Sequence, residues 1–195
     1  MGKSVLHLVS GVAAAALLPT FAYAHAGTGD AGGFLHGVMH PAFGLDHVCA
    51  MVAVGLWAAQ MEGRAVWAVP LTFVGVMALG GMLGMSGVAL PFAEQGIVLS
   101  VLMLGVLIAA AIRLPLGLSS VMVGLFALCH GHAHGVEMPG SISVMAYATG
   151  FLLSTALLHC MGILFGLGMQ RLTQKRLVPV AGASIALCGV YLAVS

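Results

Sequence analysis

Charged residues are scarce in this sequence. Lys, Arg, Asp and Glu make up 6% of its 195 residues, whereas roughly 25% is usual in a soluble globular domain. Hydrophobic residues make up 61%. This composition excludes an ordinary soluble domain and indicates a membrane protein whose surroundings are lipid. The six Lys and Arg residues form no basic stripe, so nucleic acid is excluded as a partner.

The cysteines lie in apolar contexts and none forms a CxxC pair, so a disulfide framework is not expected. We interpret them first as small buried apolar side chains and second as soft metal ligands. The sequence also has no GxxxxGK[ST] motif and no soluble segment that could bind ATP. If the protein transports a solute, it is therefore a secondary carrier or a channel-like facilitator. The cysteines are Cys49, Cys129, Cys160 and Cys188.

Residues 1–24 have the pattern of a cleavable signal peptide. A basic Lys3 precedes an apolar run, and the segment ends in small residues that fit an A-x-A cleavage site. Cleavage after Ala24 leaves His25 as the mature N-terminus, where the amino group and imidazole are a weak candidate for binding a metal. A Gly-rich, flexible periplasmic tail is expected over residues 25–33.

The rest of the chain predicts an all-α, polytopic membrane bundle over residues 34–195. A bilayer core needs about 20 apolar residues per helix, and six segments after the signal peptide meet this requirement. Short polar or Pro/Gly-containing connections separate them. The predicted spans lie near residues 34–60, 65–86, 93–113, 116–135, 141–169 and 178–194.

The orientation of these spans can be predicted from the basic residues. An exported N-terminus and six crossings place the connections near residues 62, 114 and 173 in the cytoplasm. Every Arg and Lys of the mature chain lies at these connections, as the positive-inside rule requires. We therefore expect a multi-pass protein of the bacterial inner membrane with a periplasmic mature N-terminus. The basic residues are Arg64, Arg113, Arg171, Lys175 and Arg176.

Most of the ionisable side chains of the first span occur in one stretch, "HGVMHPAFGLDHVCAM". At 100° per residue, His36, His40 and His47 fall within about 40° of one another on a regular helix, with Asp46 about 80–100° to the side. His36 and His47 would be roughly 16 Å apart along such a helix. One straight helix therefore cannot easily bring all of them to one ion.

A kink or break near Pro41 would remove this difficulty. Proline deletes a helix hydrogen bond, and Gly44 adds backbone freedom. A broken first helix could then bring His40, Asp46 and His47 together, as broken helices do in transporter sites.

A second polar cluster, "CHGHAHGVEMP", ends the fourth span. His130 and His134 are spaced i,i+4 and share one helix face, which is the spacing of a two-histidine metal clamp. His132 points roughly to the opposite side. Glu137 can supply an oxygen ligand or accept a proton. No HExxH motif is present, so a metalloprotease is a poor interpretation.

Intramembrane ionisable residues are functional-site candidates by default. Imidazoles with a few oxygen ligands suit Zn, Ni, Co, Cu(II) or Fe(II), and protonation of these ligands could couple metal release to proton movement. No prosthetic group is expected. Two alternatives to a carrier remain open, a membrane-embedded metal-dependent hydrolase and a haem-bearing electron carrier. The role of His159, in the fifth span, is left open.

The two polar stretches resemble the signatures of the HupE/UreJ family. "HPAFGLDH" fits H-P-x-x-G-x-D-H through His40, Pro41, Gly44, Asp46 and His47. "HGHAHGVE" fits H-G-x-A-H-G-x-E through His130, Gly131, Ala133, His134, Gly135 and Glu137. The signal peptide followed by six spans is also similar to that family, so the resemblance covers essentially the whole chain.

The resemblance implies nickel uptake across the inner membrane for hydrogenase or urease maturation, by a permease and not an enzyme. Cys129 stands where the family pattern usually has Phe, and His132 adds an imidazole, so transport of cobalt or copper is an alternative. Partner proteins are unknown. The metal ligands it implies are His40, Asp46, His47, His130, His134 and Glu137, with His25, His36, Cys49, Cys129 and His132 in entrance or accessory roles.

Overall fold

The computed structural model describes residues 30–172 and 176–195, and over these ranges every regular element is an α-helix. The all-α prediction is therefore confirmed. The predicted signal peptide and His25 lie outside the described residues, whereas residues 30–33 of the predicted tail already belong to the first helix. The helices are α1 (Asp30–Phe43), α2 (Leu45–Met61), α3 (Ala65–Met85), α4 (Ala93–Ala109), α5 (Leu116–Glu137), α6 (Val144–Arg171) and α7 (Leu177–Val194).

Several of these helices can cross a membrane. Among the described residues, four (α3, α5, α6 and α7) are long and apolar enough, and the bent pair α1–α2 makes up to five if it counts as one span. α4 is also apolar but has only 17 residues, which gives a length of about 25 Å. The chain is therefore a multi-pass, helical membrane protein.

The first predicted span is broken, and the break lies at Gly44 and not at Pro41. The axes of α1 and α2 differ by 81°, whereas Pro41 lies inside the last turn of α1. Gly44 has φ −82° and ψ 115°, an extended conformation that any residue can adopt. Glycine matters here because it has no side chain. A Cβ at this position would lie 2.9 Å from both Oδ1 of Asp46 and Nδ1 of His47.

The helix α2 lies at the centre of the bundle. Its second half, residues 53–60, is buried throughout, because α3, α4, α6 and α7 all pack against it. The outer faces of the surrounding helices carry exposed large apolar side chains, including Leu71, Leu125 and Leu187. An apolar exterior around a buried core is what lipid contact requires.

Glycines set three close helix pairs. α3 runs parallel to α5, since Gly80 lies against Leu128 and Gly84 lies against His132 further along both helices. α2 runs parallel to α6, since Gly55 lies against His159 and Ala59 contacts Gly166. The GxxxG sequences at residues 80–84 and 162–166 thus both lie at close helix contacts.

The third pair is antiparallel. Gly105 of α4 lies against Ala186 of α7, and Gly182 lies against Ala109. In all three pairs, the relative direction of the two helices is the one expected if successive membrane spans alternate in direction along the chain.

Contacts between connecting segments define the two ends of the bundle. At one end, Arg113 donates a hydrogen bond to Glu62 at 3.1 Å, and Gln170 donates to the carbonyl of Ala59. At the other end, the imidazole of His132 donates to the carbonyl of Val88. The described arginines all lie at the first end, either in the connections or at the last residue of a helix: Arg64, Arg113, Arg171 and Arg176.

Candidate metal centre

Three side chains from two helices meet near the second end of the bundle. Nε2 of His40 donates to Oε2 of Glu137 at 3.0 Å, and Nδ1 of His134 lies 4.0 Å from the same oxygen. One ligand atom from each residue lies within 4.8 Å of the others. We call these residues the mouth trio, because the Glu137 side chain is 54% exposed and gives the group contact with the exterior.

A deeper group shares His134 with the mouth trio. The ring of His47 lies 4.1 Å from that of His134 and 4.9 Å from that of His130, measured between centroids. All three residues are buried. We call them the buried trio. His40 and His47, on either side of the break, therefore converge on one histidine, as the sequence predicted for a broken first helix.

Asp46 contacts the site through His47. Its Oδ1 accepts hydrogen bonds from the backbone amide of His47 at 2.8 Å and from Nδ1 of the same residue at 2.7 Å. The proton on Nδ1 leaves the lone pair on Nε2, and this nitrogen is buried without a hydrogen-bond partner among the described residues. A carboxylate that orients a metal-binding imidazole in this way is a recurring second partner of metal ligands.

Ser100 orients His130 in the same way, and the sequence did not predict this contact. The Ser100 hydroxyl donates to the carbonyl of Ile97 at 2.6 Å and lies 2.9 Å from Nε2 of His130. Its oxygen therefore accepts the proton of Nε2, which leaves the lone pair of His130 on Nδ1. The only signal in the sequence was a serine within the apolar run of α4.

The free nitrogens of the buried trio are the chemical core of the site. Nε2 of His47, Nδ1 of His130 and both ring nitrogens of His134 are buried without hydrogen-bond partners in the described chain. Buried polar atoms nearly always have a partner. Three neighbouring imidazoles with this property are suited to supply lone pairs to a cation.

The glycines of the second signature place the histidines of α5. A Cβ at Gly131 or Gly135 would overlap the backbone of α3, at Met77 and Gly81 respectively. This face of α5 is consequently pressed against α3. His130 and His134 extend beyond this contact to the ring of His47, and His134 also approaches that of His40.

His36 and His132 lie at the edge of the site. The ring of His36 stacks on that of His40 at a centroid distance of 5.9 Å. His132 is turned to the opposite side of α5, as its position in the sequence predicts, and its Nε2 donates to the carbonyl of Val88 at 2.7 Å. His132 thus connects α5 with the loop between α3 and α4.

Neither cysteine that was considered as an accessory ligand joins the two trios. Sγ of Cys49 lies 3.6 Å from Sγ of Cys188 on α7. Cys129 contacts α4, where a Cβ at Gly96 would lie 2.5 Å from its sulfur. Both thiols pack between helices but are only half-buried, as is Cys188, and Cys160 is exposed. The interpretation of the cysteines as small buried side chains is therefore wrong in its burial.

Comparison with known proteins assigns the chain to a family. The HupE / UreJ protein family matches residues 13–192. Protein HupE from Rhizobium leguminosarum bv. viciae is 48% identical over 183 residues, which cover 93% of this chain and 94% of that protein. No solved structure matches the chain significantly. The chain, whose two signatures form the mouth and the buried trios, belongs to the HupE/UreJ family.

Proposed function

We propose that this protein is a secondary carrier that imports divalent nickel across the inner membrane, for the maturation of a hydrogenase or urease. The observation that carries the proposal is the buried trio. Its three imidazoles have unpartnered nitrogens and connect through His134 to the partly exposed His40 and Glu137. Membership of the HupE/UreJ family supports the same role.

The donor set supports a borderline divalent transition metal as the cargo. Imidazole nitrogen suits nickel, copper, zinc and cobalt, whereas magnesium and calcium require mainly oxygen ligands. One carboxylate near the mouth gives an arriving cation favourable charge. The deeper ligands are neutral when they bind metal, so the ion is not trapped by several negative charges.

Six crossings are the topology that we propose. The bent pair α1–α2 counts as the first span and the short α4 as the third. The parallel and antiparallel helix pairs support this alternation, since helices that are both odd or both even in the span order run parallel. The described arginines at one end support a cytoplasmic location for that end, and the mouth trio then opens to the periplasm.

The test is nickel uptake by cells that express the protein. Radioactive nickel should accumulate, and His47→Ala should abolish the accumulation because it removes a free nitrogen from the buried trio. His132→Gln is the matched control, since it changes a histidine of α5 outside both trios and keeps a donor for Val88. Uptake by His47→Ala equal to that of the unaltered protein would contradict the site.

Selectivity is measured in the same cells. Uptake of nickel, cobalt, copper and zinc at fixed pH, with and without a proton gradient, distinguishes the metals and reports proton coupling. The proposal expects nickel to be preferred. Expression that produces membrane-inserted protein without uptake of any of these metals would refute a carrier function.

A further inference from the structure

His159 is buried beneath the candidate metal centre and has no evident structural bond. It lies in α6, is 2% exposed, and neither of its ring nitrogens has a hydrogen-bond partner among the described residues. Its backbone is fixed by the close approach of Gly55 of α2, where a Cβ would overlap the carbonyl oxygen of His159. The imidazole is therefore held in the interior by main-chain packing that leaves both nitrogens free.

One aromatic ring lies beside both His159 and the buried trio. The ring of Phe73, on α3, lies 5.6 Å from that of His130 and 5.1 Å from that of His159. Phe73 is fully buried. His130 and His159 thus both contact the same phenyl group, which links His159 to the buried trio.

The surroundings of His159 supply further donor atoms. The hydroxyl of Thr155 donates to Sδ of Met77 at 3.8 Å, and both residues are buried. Thr155 lies one turn before His159 on α6, and Met77 lies one turn after Phe73 on α3. An imidazole with two free nitrogens, a thioether and a hydroxyl form a donor set for a soft or borderline cation, not for magnesium or calcium.

We propose that His159 is the principal ligand of a second, inner binding station for a divalent transition metal, reached from the buried trio by passing Phe73. The inference rests on the proposed function, because it assigns the next step to the same cation. A metal that leaves His130 would next meet the nitrogens of His159, beside Phe73. A neutral station of this kind holds the ion weakly enough for release toward the other end of the bundle.

The direct test is spectroscopic and does not depend on transport. His159→Cys, purified as the full chain in detergent, should bind cobalt(II) through the new thiolate and show a near-ultraviolet thiolate-to-cobalt charge-transfer band. The unaltered protein is the first control, because its own Cys160 is the neighbouring residue and is exposed on the outer face. Leu157→Cys is the second, since Leu157 of the same helix is 55% exposed.

The expected result is a band in His159→Cys alone. The absence of this band from a folded His159→Cys protein that still binds cobalt would overturn the inner station. A band of equal intensity in Leu157→Cys would also overturn it, because lipid-facing thiols would then account for the signal.

Uptake measurements then place the station on the route. His159→Gln fills most of the imidazole volume, and it should leave the number of metal ions bound at the outer site unchanged. Nickel uptake should fall at least about tenfold, the loss typical even of a residue that only orients a metal ligand. Normal uptake by His159→Gln overturns the station. Absence of uptake by the unaltered protein instead refutes the proposed carrier function, and the cobalt band remains an independent measure of the site.

Discussion

Ser100 accepts a hydrogen bond from Nε2 of His130 at 2.9 Å, and this bond decides which nitrogen of His130 can bind a metal. The serine hydroxyl proton is directed to the carbonyl of Ile97, so the imidazole must be the donor. Both residues are fully buried. A residue of α4 thereby sets the chemistry of a ligand on α5.

We predict that Ser100→Ala lowers nickel affinity without unfolding the protein. The substitution removes the acceptor for Nε2 and frees the imidazole to change its tautomer or rotate. Loss of such a partner typically costs about 10–100-fold in metal affinity. Equilibrium binding of nickel to purified protein measures the effect. Ser119→Ala is the control, a buried serine that bonds to backbone carbonyls at the opposite end of the bundle, and it should bind nickel normally.

We predict that Asp46→Asn reduces uptake although the side chain remains nearly the same size. The amide oxygen can still accept hydrogen bonds, but it lacks the charge that keeps the proton of His47 on Nδ1. The expected loss is about tenfold or more in nickel uptake. Asp30→Asn, an exposed acid at the start of α1, should be neutral. Equal uptake by the two variants would show that Asp46 does not orient His47.

We predict that Gly44→Ala impairs the site because of crowding. The new methyl group would lie 2.9 Å from the Asp46 carboxylate and from the His47 ring, so the pair must separate or turn. Nickel affinity should fall, while the protein remains folded by circular dichroism. Gly75→Ala provides the comparison, since a Cβ there meets nothing within 4 Å. Normal affinity in Gly44→Ala would mean that Asp46 and His47 can be displaced without loss.

We predict that mild oxidation joins Cys49 and Cys188 within one chain. Their sulfurs lie 3.6 Å apart, between α2 and α7. Copper phenanthroline should produce the crosslink, detected by mass spectrometry of the digested protein. Cys160, which is exposed on α6, should not take part in it. Recovery of both thiols after oxidation, or pairing of Cys49 with a different cysteine, would contradict the packing of α7 on α2.

Much of the candidate site could be predicted because it lies in two short stretches with local geometry. His130 and His134 share a face through helical periodicity, and a break between His40 and His47 follows from proline and glycine. The position of the break was less predictable. Proline at the end of a helix deletes a bond without forcing a turn, and the 81° bend occurs where Gly44 makes room for Asp46 and His47.

The remainder of the site depends on how helices pack, which no single stretch encodes. Ser100 and Phe73 come from α4 and α3, whose sequences are apolar and carry no motif. Their contacts with His130 arise only when Gly131 and Gly135 bring α5 close to α3. His159 was visible as an intramembrane histidine, but its relation to the other histidines required the position of Phe73.

The bend at Gly44 divides the histidines of the first signature between two helices. α1 carries His40, whereas α2 carries His47 and is buried throughout its second half. A rotation of α1 about this junction would change the distance from His40 to His134 and leave His47 beside His130. The half of the site that faces the exterior is held by the packing of α1 on α6, where Gly37 lies against Tyr147, whereas the half in the interior is held by α2, so capture and retention of a cation depend on different helix contacts.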